Sequence, residues 1–195
     1  MRNVLSFDAS STALLDTHDL VLRKASMPDI HALLRLINGY AANGVMLPRT
    51  EFEMSEHIRD FTLAFSGDEL VGCGALHFYS PTSGEIRSLA VDPDAKSRGI
   101  GRAVVQALEQ EAIEYRLHSI FAFTYVTGFF EKLGFEEVER GELPLKAWKD
   151  CLRCPKFQSC DETAVVKYLV SPYLRHAKST HTLPHNFVQL PILRS

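Results

Sequence analysis

The run AVDPDAKSRGIGRAVVQALEQEA (residues 90–112) concentrates the residue types that bind an anion through the main chain. An apolar strand-like stretch turns through Asp-Pro-Asp, places Gly99 and Gly101 within three residues, and enters a helix-like pattern. The first amides of a helix have no internal partner, and the helix dipole makes that end positive. A glycine there lets a diphosphate approach the backbone. Lys96, Arg98 and Arg102 add positive charge, and Ser97 and Ile100 complete the segment. A helix start that merely tolerates glycine is the plainer reading, but glycine costs about 1 kcal/mol against alanine inside a helix. The pattern is not the dinucleotide fingerprint, since Val104 stands where the third glycine would be, and the G-K-[ST] of a Walker loop is absent.

A second cluster is Cys151, Cys154 and Cys160, spaced C-x₂-C-x₅-C. Three thiolates with a fourth ligand suit zinc, two suit a redox pair, and small cysteines also simply pack. No metal is assigned. Cys73 lies alone in an apolar run, and His77 on the same run reads as a satisfied core side chain rather than a ligand.

These segments need elements to position them. LVLRKAS (20–26) alternates like a strand. Ser26 and Asp29 have capping-box spacing, with Pro28 in the first turn, and Ile30, Leu33, Leu34 and Ile37 make one helical face. Thr50 and Glu53 form a second capping box before a short helix at about 51–60. FTLAFS, GDE and LVGCGALHFY read as strand, tight turn and strand, and EIRSLAV (85–91) as the next strand. A helix at about 100–116 has the apolar stripe Val104, Val105, Leu108, Ala112, Tyr115. SIFAFTY is a strand, TGFFEKLGF a short helix stopped at Gly134, FEEVER a strand and TAVVKYLV the last one. Strands gather centrally between helices, which predicts an α/β fold with a mixed sheet covered on both faces. Residues 1–19 read as a lead-in, 20–170 as the domain, and 171–195 as a tail.

A chain of 195 residues suits one such domain. The net charge of −3 and the lack of a basic run do not suggest a nucleic-acid partner. No apolar run reaches membrane-spanning length, and the N-terminus lacks a signal-peptide core, so the expected location is cytoplasmic.

The segment EIRSLAVDPDAKSRGIGRAVVQAL followed by FFEKLGF resembles the Gcn5-related N-acetyltransferase (GNAT) superfamily over about residues 20–170. LPRT (47–50), EIRSLAV and LPLKAWKDCLRCPKFQSCDE (143–162) make it most similar to the short, single-domain bacterial N-acetylglutamate synthases. The resemblance implies a GNAT-type mixed sheet with a cysteine-rich C-terminal extension, acetyl-CoA as co-substrate, and L-glutamate as acceptor in the first step of arginine biosynthesis. Rival readings are another amino acid or small amine as acceptor, or a non-catalytic acetyl-CoA sensor. Superfamily members often pair through sheet edges, so a homodimer is one expected state. The resemblance also implies that the strand end at Leu89, Ala90 and Val91 splays and binds the acetyl and pantetheine groups through its backbone. The turn 96–102 would cradle the pyrophosphate, with Lys96 where Arg or Gln is usual.

Acetyl transfer to an amine needs a base. Glu85 is the candidate, four residues before Leu89 and placed on the same pleat face by period two; the resemblance implies a strand glutamate at this offset as the base, and the plainer reading is a strand-entry glutamate paired with a neighbouring cation. Burial would raise its pKa. Arg87 shares that face, and Arg49 lies in the loop that lines the acceptor side in this fold. Two forked cations for the two carboxylates of glutamate is the expectation. The tyrosine that often precedes E-K-L-G-F is replaced by Phe130, and Tyr125 is the nearest remaining candidate for an acid. Trp148 is expected to pack the cysteine-rich segment over the sheet or the acceptor pocket.

Overall fold

The structure, a computed structural model, describes residues 20–143, 156 and 159–170. The lead-in 1–19, the tail 171–195, Trp148, Cys151 and Cys154 lie outside the described residues.

Among the described residues, seven strands and four helices follow in the predicted order. They are β1 (Leu20–Lys24), α1 (Ile30–Ala41), α2 (Glu51–His57), β2 (Phe61–Ser66), β3 (Glu69–Ser80), β4 (Ser83–Val91), α3 (Ile100–Glu114), β5 (Ser119–Thr124), α4 (Thr127–Glu131), β6 (Glu136–Glu137) and β7 (Thr163–Tyr168). The strands form one sheet in the order β1-β2-β3-β4-β5-β7-β6. Every pairing is antiparallel except β4 with β5.

Both capping boxes form. Thr50 accepts from the Glu53 amide, and Asp29 takes the Ser26 amide while also receiving a two-pronged bond from Arg23 at 2.7 and 2.8 Å. Helices cover both faces. Ile30, Leu33 and Ile37 of α1 with Met54 of α2 pack on Leu63, Cys73, Ala75 and Ala90. Val104, Val105 and Leu108 of α3 pack on the other face against Leu76, Ile86 and Ile120, where Phe130 of α4 joins them. Gly72 and Gly74 of β3 make that approach close: a Cβ at Gly72 would lie 2.7 Å from Ile100 Cγ2, and one at Gly74 would lie 2.9 Å from Val104 Cγ1.

Three expectations are corrected. Tyr115 is not on the buried stripe of α3 but 61% exposed. The helix ends at Glu114, Arg116 takes a left-handed φ of 58°, and Leu117 fills the buried place instead. FEEVER is not a full strand: only Glu136 and Glu137 pair, at the sheet margin, while Phe135 packs in the core. The third concerns β4. Ser88 has φ 51°, and the register with β3 shifts between Cys73↔Ala90 and Ala75↔Arg87. One extra residue in β4 flips the pleat there. Ile86 and Leu89 therefore both face α3, whereas Glu85, Arg87 and Ala90 belong to the face covered by α1 and α2. Glu85 and Leu89 do not share a face, because period two does not survive a bulge.

Candidate active site

The site begins where two parallel strands separate. β4 and β5 pair at Ser83↔Ser119, Gly84↔Ile120 and Glu85↔Phe121, and the register stops there although β4 runs on to Val91 and β5 to Thr124. Past Glu85 the edge of β4 has left its neighbour over six residues, on the order of 20 Å of strand. Amides and carbonyls on such an edge can pair with an extended polar chain, as a further strand would. The β4–β5 ladder thus ends before Leu89, Ala90 and Val91, where the splay is expected. The side chains of Leu89 and Val91 pack toward α3 and that of Ala90 toward α1, which leaves the main chain to face the gap.

The glycine turn lies at the mouth of this gap. Pro93–Ala95 make a single helical turn, Ser97 has φ 65°, and Gly99 caps α3 in the left-handed conformation at φ 80°. No side chain caps the helix start, whose first main-chain bond runs from the Ala103 amide to the Gly99 carbonyl at 3.0 Å. The amides of Ile100, Gly101 and Arg102 thus have no helical carbonyl ahead of them. Lys96, Ser97, Arg98, Gly99 and Arg102 are exposed, while the side chain of Ile100 is buried and anchors the turn. The two glycines act differently. A Cβ at Gly99 would meet nothing within 4 Å, so this position leaves the backbone open. A Cβ at Gly101 would touch the Phe129 ring at 3.4 Å and Val91 at 3.5 Å, ordinary contact distances, so packing does not demand a glycine at this position.

On the α1–α2 face, charged groups collect beside the end of the paired register. Glu85 is 8% exposed and lies directly across from His77. His77 Nδ1 is 2.7 Å from Asp60 Oδ2. The same oxygen is 3.7 Å from His57 Nδ1 and 3.7 Å from Arg87 Nη2. Arg49 is carried by a loop clamped to α1: its amide donates to Asn38 Oδ1 at 2.8 Å, and Asn38 Nδ2 donates back to its carbonyl at 2.9 Å. Burial holds His57 below the usual imidazole range. Arg87 and Arg49 push in the same direction, and Asp60 opposes them. Arg49, Arg87 and Glu85 are therefore brought to one neighbourhood. The ligand atoms of His57, Asp60 and His77 lie within 4.8 Å of one another, a spacing a metal ion could use. Arg87 beside the shared oxygen adds a fixed positive charge that opposes a cation there.

Tyr125 sits just past β5, four residues beyond Phe121. It is 41% exposed, and its hydroxyl donates to Asp161 Oδ1 at 2.9 Å and receives Lys156 Nζ at 3.1 Å. Burial and the neighbouring acids push its pKa up, against Lys156. Phe130 is buried against Phe129 and Phe135. Cys160 is a half-buried free thiol near Glu162, and Cys73 is fully buried with its thiol pushed up to about 12.

Sequence reasoning missed Asp60, His57 and Tyr40. The hairpin held a signal for the first. The turn fixes Ser66↔Glu69, and counting back along β2 puts Asp60 opposite Ala75, two residues short of His77; the register shift between Ala64 and Phe65 closes one of the two. Tyr40 closes the far side, its hydroxyl donating to the Val91 carbonyl while Lys96 Nζ lies 5.1 Å from its ring centre. No pattern in α1 marks it for that bond.

A model of the Acetyltransferase (GNAT) family matches residues 28–135. The chain belongs to that family. It is an acetyl-CoA-dependent N-acetyltransferase. An uncharacterized N-acetyltransferase of Chlorobaculum tepidum is 41% identical over 151 residues, 77% of this chain and 97% of the relative. An amino-acid acetyltransferase of Mycobacterium tuberculosis is 38% identical over 61% of this chain and 70% of its own length. Among solved structures, N-acetylglutamate synthase from Neisseria gonorrhoeae, complexed with coenzyme A and N-acetyl-glutamate, superposes with a TM-score of 0.71 at 27% identity. That likeness covers 78% of this GNAT chain but 35% of the longer synthase. Among the described residues, no helix is long and apolar enough to cross a membrane.

Proposed function

We propose that this acetyltransferase moves the acetyl group of acetyl-CoA to the α-amine of L-glutamate, the reaction that opens arginine biosynthesis. The carrying observation is that Arg87 and His57 both lie 3.7 Å from Asp60 Oδ2, within reach of the charge of Arg49, on the same face as the buried Glu85 and where β4 leaves β5. Glutamate has two carboxylates, and a guanidinium holds a carboxylate by two parallel bonds. The likeness to a synthase complexed with N-acetyl-glutamate supports the same acceptor.

When bound, acetyl-CoA supplies the acetyl group as a thioester. The residues fit it in two places. The exposed turn of Lys96, Ser97, Arg98, Gly99 and Arg102, with the amides of Ile100 and Gly101, suits a diphosphate. The β5-facing edge of β4 at Leu89, Ala90 and Val91, less the Val91 carbonyl that Tyr40 holds, suits an amide-bearing arm. Glu85 removes a proton from the acceptor's ammonium, leaving a neutral amine to attack. Rate rests on orientation within the gap and on a backbone amide polarising the thioester carbonyl. Tyr125, already engaged by Asp161 and Lys156, is the candidate to protonate the leaving sulfur. A thiol with an unperturbed pKa of about 8.5 leaves tolerably without such help.

A second reading has an acceptor with one carboxylate, because Asp60 already draws on Arg87 at 3.7 Å. Coenzyme A release measured over a panel of amino acids separates the two. Turnover with L-glutamate well above that with glutamine, alanine and arginine supports the first. Equal or better turnover with amino acids lacking a side-chain carboxylate overturns it.

A further inference from the structure

A base buried to 8% exposure must lose its proton to solvent before it can act again, and the cross-strand neighbours of Glu85 define a route. The register sets His77 of β3 opposite Glu85 of β4 on the same face. Side chains so opposed have Cβ atoms about 4.5–5.5 Å apart. Asp60 Oδ2, 2.7 Å from His77 Nδ1, fixes the ring with its proton on Nδ1 and leaves Nε2 with a free electron pair. The His77 side chain is 22% exposed, Asp60 24% and His57 32%, so the cluster climbs from the buried carboxyl towards water.

We propose that His77, held by Asp60, relays the acceptor's proton from Glu85 to solvent, which makes Asp60 a positioning residue. The inference rests on the reading of Glu85 as the base. In the first step an N–H bond of the acceptor's ammonium breaks and an O–H bond forms on Glu85. That O–H then breaks as an N–H forms on His77 Nε2, and the imidazolium faces the Asp60 carboxylate. Water finally takes the Nε2 proton, and His77 and Glu85 return to their starting states. The amine's second proton leaves with the departing sulfur when the amide forms, so one proton reaches solvent per turnover. The charged and titratable groups around the pair are Glu85 and Arg87 from β4, His57 and Asp60 at the end of α2, Arg49 from the α1–α2 loop, and Tyr79 beside His77 on β3. Arg87 and Arg49 disfavour a lasting positive charge here, which suits a relay that passes its proton on.

The test compares wild type, H77A, D60N and E85Q for kcat, KM and pH profile, in dilute buffer and with added imidazole. H77A is expected to lose kcat about tenfold to a hundredfold, with KM for the amino acid unchanged and activity recovered as imidazole rises. D60N keeps the ring and opens no space for imidazole, so it should lose kcat with a smaller change in KM and no response to imidazole. If H77A does not fold by thermal melting, D60N decides by that split between kcat and KM. Wild-type kcat in the deciding variant, or a loss in H77A that imidazole does not restore, overturns the relay. The failure of the underlying reading looks different. An E85Q enzyme with full activity removes the base itself, whereas an impaired E85Q beside an unimpaired H77A leaves the base in place and removes only the relay.

Discussion

The side chains proposed to meet the acceptor are few, and their types set what each substitution should do. E85Q keeps the shape of the side chain and removes its basicity. It should lower kcat by about 10²–10⁴-fold at neutral pH and leave the dissociation constant of acetyl-CoA within about twofold, checked by steady-state kinetics beside a binding titration. R87K keeps the charge and loses the fork. It should raise KM for L-glutamate by about tenfold or more with a smaller effect on kcat, measured in the same assay. Glu85, Arg87 and Arg49 were singled out in the sequence through the resemblance and the chemistry of carboxylates and guanidiniums, and the structure brings them to one neighbourhood. Asp60 and His57 were not, because their role arises only when the β2–β3 hairpin folds them against β4. His77 was read as a satisfied core side chain, and it is satisfied, but by a carboxylate at the site rather than within the core.

Among the elements, the order and type of strands and helices were readable throughout, since apolar periodicity and the two capping boxes agree with the packing. What periodicity could not supply was the bulge at Ser88, a backbone event with no side-chain signature. It is also what turns Leu89 towards α3 while Ala90 faces α1 at the opening of the gap. Gly72 and Gly74 carried a meaning visible only once α3 was in place. Ile100 is the first residue of α3, and its Cγ2 would meet a Cβ at Gly72 at 2.7 Å. G72A should therefore cost about 1–3 kcal/mol of stability through overpacking and also weaken coenzyme binding by displacing the start of α3. Urea unfolding and a coenzyme titration check both halves, and a loss of stability with unchanged affinity would contradict the second.

Across the molecule, one mixed sheet divides the labour. On the proposed reading the α3 face carries the coenzyme-side turn and the α1–α2 face the acceptor-side charges, with the β4–β5 parallel pairing, the one such pairing among the described residues, between them. Stability should fall in acid for two reasons of the same sign. Asp29 is held well below the usual carboxylate range, chiefly by Arg23 and against some burial, so its contribution is present above its free value of 3.8 and lost as pH drops below it. His57 is held below its free value of 6.5 by burial, so the unfolded chain takes up that proton first and stability declines below that pH. D29N, which loses the charge that pairs with Arg23, should be less stable than wild type by up to about 1 kcal/mol at pH 7, with the difference shrinking only as pH falls below 3.8 in urea unfolding. The outer topology was predictable from strand clustering between helices. The place where β4 and β5 part was expected only through the resemblance, since no single residue marks a ladder that stops.

Hydrogen–deuterium exchange during titration with acetyl-CoA tests the central claim most directly. Protection rising at the amides of residues 88–91 and 99–102, saturating with the coenzyme, is the predicted result. Saturable binding that leaves those two segments unprotected, or no binding at all, would contradict it.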